Sequence, residues 1–302
     1  MTAAAAMAAY ALLVGAVVPY ALARARWAHR APGVAVLAWQ GLSLTFVVAT
    51  VLGVGHLACS GQGVHHGLLG LLGVCGPAGL AAVPFPATPA VAASLLAPAA
   101  VALLPVGALV RTVRRARRER REHADLLRMI GSEAVEHGVT VVEHARAAVY
   151  CLPGRGGRIV ATRGALTALT EEQFWAVLEH ERAHMRGRHH LPRMAAQGFA
   201  AAFPWLPLAR LAREQTALLL EMVADDRALR FHSRDALAAA MCEVAAGSVP
   251  RPALGAGGPG ALIRLRRILS PQGVPPRAAR LGLVAASAAA PALPLLLACG
   301  SI

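Results

Sequence analysis

The sequence has no lysine, so all 30 of its basic residues are arginine. Before position 111 there is no acidic residue, and the only charged side chains are Arg24, Arg26 and Arg30. From Leu281 to Ile302 there is no charge at all. Aromatic residues make up only 4% of the 302 positions, and the five cysteines include no C-x-x-C pair. Most of these shortages exclude something. Charge missing from both ends rules out a single water-soluble globule, in which charged residues run at about 25%. Few aromatics leave no stacking platform for nucleic acid, and the cysteine spacing offers no thiolate metal site. A hydrophobic content of 56% excludes disorder. The missing lysine reads as GC-rich coding and excludes nothing.

What remains is segregated. All 16 acids and 27 of the arginines lie in 111–280, so 43 of those 170 residues are charged, about the soluble norm. A water-facing domain therefore sits between apolar stretches long enough to span a bilayer: Thr2–Leu22, Gly33–Gly55, Pro89–Val110 and Leu281–Cys299. The first lacks a basic leader and is followed by Arg24 and Arg26, so it reads as a retained span. Placing Arg24, Arg26 and Arg30 in the cytoplasm puts both termini outside. The Arg-rich stretch 111–128 and the domain then fall in the cytoplasm too.

Region 1–110 thus carries three spans with an external loop at 56–88, and 281–302 supplies the fourth. Within that loop, Gly67–Val83 reads as an interfacial helix, and Cys59 and Cys75, which share it, are candidates to pair in an oxidising compartment. Met194–Ala209 is uncharged but holds Pro204 and Pro207. A single crossing there would split the site described next, so it is expected to be buried, or to enter the membrane face and return.

Inside the domain, 111–128 reads as a basic helical arm held against anionic headgroups; direct nucleic-acid binding is not expected. Val139–Val142, Ala148–Leu152 and Arg158–Thr162 read as strands. Thr170 with Gln173 forms a capping box that opens a helix ending near Gly187. On that helix lies Leu178-Glu-His-Glu-Arg-Ala-His-Met-Arg186. His180 and His184 are one turn apart and project from one face. This is H-E-x-x-H, in which two histidines bind zinc and the glutamate, Glu181, acts as general base. Chance expects about 0.02 such matches in this composition.

Catalytic zinc needs a third protein ligand. Glu221 is the candidate, set among Leu218, Leu219, Leu220, Met222 and Val223, where a carboxylate needs a partner. Asp225, one turn on, is placed to orient a ligand histidine. Glu214 is the fallback ligand. His189 and His190 read as polar or interfacial residues, because adjacent helical histidines diverge by about 100°.

H-E-x-x-H followed by E-x-x-x-D resembles the gluzincin zinc metallopeptidases. The span layout, with Val160-Ala-Thr-Arg-Gly164 and Arg188-His-His-Leu191, resembles the beta-lactam sensor-transducer (BlaR/MecR-type) branch. That branch implies an external sensor domain after the last span. The sequence stops at Ile302, so a member without that domain is expected, and a beta-lactam receptor role is not. The implied fold class is a mainly α membrane protein, with four transmembrane helices and an α+β zincin-like metalloprotease domain, 111–280, inserted between the third and fourth.

The implied activity is Zn2+-dependent cleavage of a cytoplasmic or membrane-proximal protein, with a transcriptional repressor as one candidate substrate. Housekeeping turnover of damaged membrane proteins is the alternative, and a catalytically silent receptor or scaffold the alternative of another class. An extended substrate would pair with Ala148–Leu152 or Arg158–Thr162. Tyr150, Arg227, Arg230 and His232 stand unranked as oxyanion donors.

Overall fold

The computed structural model describes residues 2–59, 89–134, 138–154, 157–247, 259–270 and 273–299. The interfacial helix expected at Gly67–Val83 and the Cys59–Cys75 pairing lie outside the described residues.

The apolar N-terminal segment is helical from Thr2 to Ala23: α1 (Thr2–Leu12), a π turn at Leu13–Val17, and α2 (Val18–Ala23). Pro19 follows the π turn, and a missing N–H relaxes the ladder there. The short α3 (Arg26–Arg30) leads into α4 (Pro32–Cys59). Next comes α5 (Pro89–Ile130), where the third apolar stretch and the basic arm form one unbroken helix of 42 residues, about 63 Å long. The arm thus continues the apolar helix without a break. It is laced by exposed i,i+4 pairs, Arg115–Glu119 and Arg118–Glu122.

Four strands form one sheet of order β1-β2-β4-β3: β1 (Gly131–Ala134), β2 (Val139–Val142), β3 (Val149–Leu152) and β4 (Arg158–Thr162). β1 was not expected. Its sequence, Gly-Ser-Glu-Ala, has no β-branched or aromatic residue to mark a strand. It forms by pairing antiparallel with β2 just after α5 ends. β2 and β4 are parallel, and β3 lies antiparallel to β4 at the edge.

Beyond the sheet come α6 (Arg163–Ala168), α7 (Glu171–Arg186), α8 (His190–Ala202), α9 (Pro207–Ala228), α10 (Arg234–Gly247) and α11 (Pro259–Leu269). The last apolar segment is α12 (Arg277–Ala289), a 3-10 turn at Ala290–Ala292 and α13 (Leu293–Cys299). Four described segments are long and apolar enough to cross a membrane: Ala4–Ala23, Pro32–Leu57, Leu96–Ile130 and Arg277–Leu296. The sheet and α6–α11 fall between the third and fourth in chain order. Most of the described residues are helical.

Three buried apolar clusters occur among the described residues, and two of them frame the site. One packs Val139, Val141, Ile159 and Ala161 of the sheet against Phe174 and Leu178 of α7. The other joins Val14, Trp39 and Phe46 of the apolar helices to Phe199, Phe203 and Leu206 at the α8–α9 turn, and to Leu219, Leu220 and Met222 of α9. Met194–Ala209 is a helix–turn–helix whose inner face is buried against the apolar helices. Its Phe203 packs edge-on against Phe46 at 5.4 Å between ring centres, about 21 Å along α4 from Pro32. The metal-ligating candidates on α7 and α9 are thus held between the sheet on one side and the apolar helices on the other.

Candidate metal centre

α7 begins at the expected cap. Thr170 Oγ1 accepts from Gln173 N, and the Gln173 side chain accepts from Thr170 N. The box fixes the phase of the helix, and with it the face on which His180 and His184 lie. α9 begins with Pro207 in its first turn and runs 22 residues. It packs against α7, so Glu221 faces the two histidines.

One ligand atom from each of His180, His184 and Glu221 lies within 4.8 Å of the other two. The two Nε2 atoms are 3.2 Å apart. Glu221 Oε2 is 3.4 Å from His180 Nε2, and Oε1 is 3.6 Å from His184 Nε2. Donors about 2.0–2.1 Å from a tetrahedral centre are separated by about 3.3–3.4 Å. The spacing and the nitrogen–oxygen donor set both fit a zinc ion. Glu214, the fallback ligand, is exposed on α9 and does not belong to the cluster.

Each histidine is braced from behind. His180 Nδ1 lies 3.0 Å from Asp225 Oδ1, close but off the line of a straight hydrogen bond. Burial alone would lower the His180 pKa, but Asp225 and Glu221 outweigh it and push it up to about 9. Burial works to raise the Glu221 pKa, but His180, His184 and the Arg264 charge hold it well below the usual carboxylate range. A metal at Nε2 must displace a proton from His180. Zinc affinity is therefore expected to weaken about tenfold per pH unit below 9 while that proton competes. Titration calorimetry in buffers of different ionisation enthalpy measures this, and a pH-independent affinity would contradict it.

His184 Nδ1 meets His189 Nδ1 at 2.8 Å. Burial, then the neighbouring His184, push the His189 pKa down to about 4, so its ring is neutral near pH 7. With His184 Nδ1–H donating to it, His184 Nε2 keeps its lone pair for a metal. His189 precedes α8 rather than sitting within it, and Arg188 turns the chain with a φ of 48°. The 100° divergence of helical neighbours does not apply there, which is why the sequence hid this contact. The ring also needs Gly187, where a Cβ would lie 2.5 Å from His189 Nε2.

A second residue missed in the sequence is Arg264 of α11. Its Nε and Nη2 donate to Asp225 Oδ2 and Oδ1 at 2.8 and 2.7 Å, and its Nη1 lies 3.1 Å from Glu221 Oε2. Asp225 is fully buried, so this planar fork supplies the hydrogen bonds that water cannot.

Glu181 is not in the donor cluster. Its Oε2 accepts from the backbone N–H of Cys151 at 2.9 Å. That N–H lies on the free edge of β3, whose other edge pairs with β4. Of the two strands considered for substrate pairing, β4 is paired on both sides, and among the described residues no strand pairs with the outer edge of β3. A cleft of about 310 Å3 joins these parts, lined by Tyr150, Cys151, Glu181, His184, His189 and Glu221 among others. It shares Pro153, His190 and Arg193 with a shallower groove that runs along the arm. Arg120 closes the arm onto this end by donating to Pro153 O at 3.3 Å.

Of the four residues considered as oxyanion donors, Tyr150 alone lines the cleft. Its hydroxyl is 2.8 Å from His123 Nε2 on the arm. Arg227 lies instead near Glu179 and over Phe231.

Cys151 shares the cleft as a protonated thiol. Burial, then the Glu181 carboxylate, push its thiol up to about 12. At pH 8 the thiolate fraction is then on the order of one in ten thousand. Peptide mapping after alkylation at pH 8 should find exposed Cys242 modified and Cys151 intact.

Two histidines a turn apart, a carboxylate from a second helix, a glutamate beside them and a free strand edge together describe a metallopeptidase-type centre. Residues 114–218, about a third of the chain, match the family model of peptidase family M48. The match takes in α7 and ends three residues before Glu221, and it supports a metallopeptidase. No curated protein and no solved structure matches the chain significantly.

Proposed function

We propose that the protein is an integral-membrane zinc endopeptidase acting on a cytoplasmic or membrane-proximal polypeptide. The observation that carries this is the convergence of His180, His184 and Glu221 within 4.8 Å, with Glu181 anchored to the free strand edge beside them. His180, His184 and Glu221 would hold the ion, which supplies Lewis acidity and a bound water of pKa near 7. Glu181 performs the proton transfers. The Cys151 N–H occupies Oε2 and holds the carboxylate in place. Oε1 is left to take a proton from the attacking water and pass it to the departing amine. The β3 edge aligns an extended substrate by backbone pairing, and the Tyr150 hydroxyl is the donor best placed for the developing oxyanion.

A repressor substrate, and with it a signalling role, remains part of this proposal through the resemblance noted above. Turnover of membrane-proximal proteins without a dedicated signal is the second reading, favoured by a family match that names a peptidase and no sensor. The charge pattern supports a cytoplasmic domain with both termini outside. Cys59 should then label from outside intact cells, whereas labelling only after lysis would reverse the orientation.

Casein cleavage by the reconstituted full chain tests the activity. Cleavage should stop with a zinc chelator and return with added Zn2+. Chelator-insensitive cleavage, or none in the zinc-loaded protein, would sink the proposal.

A further inference from the structure

Away from the metal centre, a cavity of about 560 Å3 opens between the start of α4, the C-terminal end of α9, α11 and the beginning of α12. Six arginines line it: Arg30, Arg227, Arg230, Arg234, Arg267 and Arg280. Asp226 is the one acid in its lining among the described residues, and it is already engaged. Both terminal nitrogens of Arg267 hold it, at 2.7 and 2.8 Å. Backbone carbonyls brace three of the arginines: Gly273 O accepts from Arg30, Ile268 O from Arg234 and His29 O from Arg267.

Of the remaining three, Arg227 lies 3.8 Å from Glu179, and the other two are less well matched. Among the described residues, Arg280 Nε is buried without a hydrogen-bond partner and the Arg230 guanidinium has none. Six cations around one cavity repel one another, and an anion relieves that repulsion. Planar guanidinium forks pair best with phosphate or carboxylate oxygens.

The position of the cavity narrows the anion. It sits where two apolar helices, α4 and α12, begin, at the end nearer the metal centre. The helices touch at Gly41, where a Cβ would lie 2.3 Å from Ser287 O. The cavity lies on the Pro32 and Arg280 side of that contact. Beside it, Leu37 of α4 and Leu281 of α12 are 50% and 69% exposed. A free phosphate would use the arginines and leave this apolar surface bare. A phospholipid uses both, with its phosphate among the arginines and its acyl chains along the helices.

We propose that this cavity binds the phosphate of an anionic phospholipid from the leaflet on the metal-centre side. Binding is expected whether or not the chain cleaves peptides. It would also tie α11 to α9 next to the site, because Arg267–Asp226 and Arg264–Asp225 bridge the same two helices.

The test uses the full chain in lipid nanodiscs. Phosphatidylglycerol added to phosphatidylcholine should raise Tm by about 5 °C or more at saturating lipid. Native mass spectrometry should show one retained phosphatidylglycerol per chain. Arg230→Gln with Arg280→Gln should abolish both effects, while Arg146→Gln with Arg163→Gln, the same charge loss at exposed positions beside the sheet, should keep them. Inorganic phosphate in phosphatidylcholine discs should leave Tm unchanged.

The proposal fails if phosphatidylglycerol gives no shift, if the shift survives the cavity variant, or if phosphate alone reproduces it. Should the cavity variant not fold, photoactivatable phosphatidylglycerol on the wild-type chain decides. Crosslinks should concentrate in 29–37 and 277–283, and a scatter over all the apolar helices overturns the proposal.

Discussion

Glu181→Gln is expected to cut peptide-bond cleavage by about 10²- to 10⁴-fold, the range for removing a general base, while leaving zinc content at the wild-type level. The separation follows from geometry. Glu181 lies outside the His180–His184–Glu221 cluster, so the amide removes no donor. The Gln oxygen can still accept from the Cys151 N–H that now holds Oε2 at 2.9 Å. What disappears is the basic oxygen beside it. Loss of zinc together with activity would place Glu181 among the ligands, and undiminished cleavage would remove it from the chemistry.

Arg264→Met should produce the largest loss of stability. The Asp225 side chain has no exposure, and its bidentate partner is Arg264. Removing one member of a buried ion pair costs about 3–5 kcal/mol, or roughly 6–20 °C in Tm. Burial favours the neutral Asp225, but Arg264 and His180 outweigh it and lower its pKa. The sign follows: the stabilisation is full above the unfolded carboxylate range and fades as pH falls through the lower folded value. The gap in Tm between wild type and Arg264→Met should therefore narrow in acid. Arg264→Lys should recover only part of the loss, because an ammonium cannot form the fork. Thermal unfolding near pH 7 and in acid checks both, and a variant as stable as wild type would show that the pair does not hold α11 to α9.

The sequence revealed more of the candidate site than of its supports. H-E-x-x-H has a fixed helical phase, and the Thr170–Gln173 box marks where its helix begins, so His180, Glu181 and His184 could be placed without coordinates. Glu221 and Asp225 were legible as two carboxylates one turn apart in an apolar run, which is unfavourable unless they have partners. Arg264 was not legible. It lies 39 residues beyond Asp225 in a chain rich in arginine, and nothing local sets it apart. His189 was hidden by a helix boundary, since its contact with His184 depends on the left-handed Arg188. The apolar segments were legible from charge alone. β1 was not, because the partner strand rather than its own residues makes Gly131–Ala134 extended. The Arg-lined cavity is likewise a product of assembly, gathering residues from 30 to 280.

Zinc stoichiometry tests the central claim most directly. Purified wild-type chain should carry one zinc ion, and so should Glu214→Ala. Glu221→Gln, which keeps the side-chain volume, and His184→Ala should carry none at the same zinc concentration. A wild-type chain that binds no zinc, or a Glu221→Gln chain that still binds one ion with unchanged affinity, would contradict the metal centre described above.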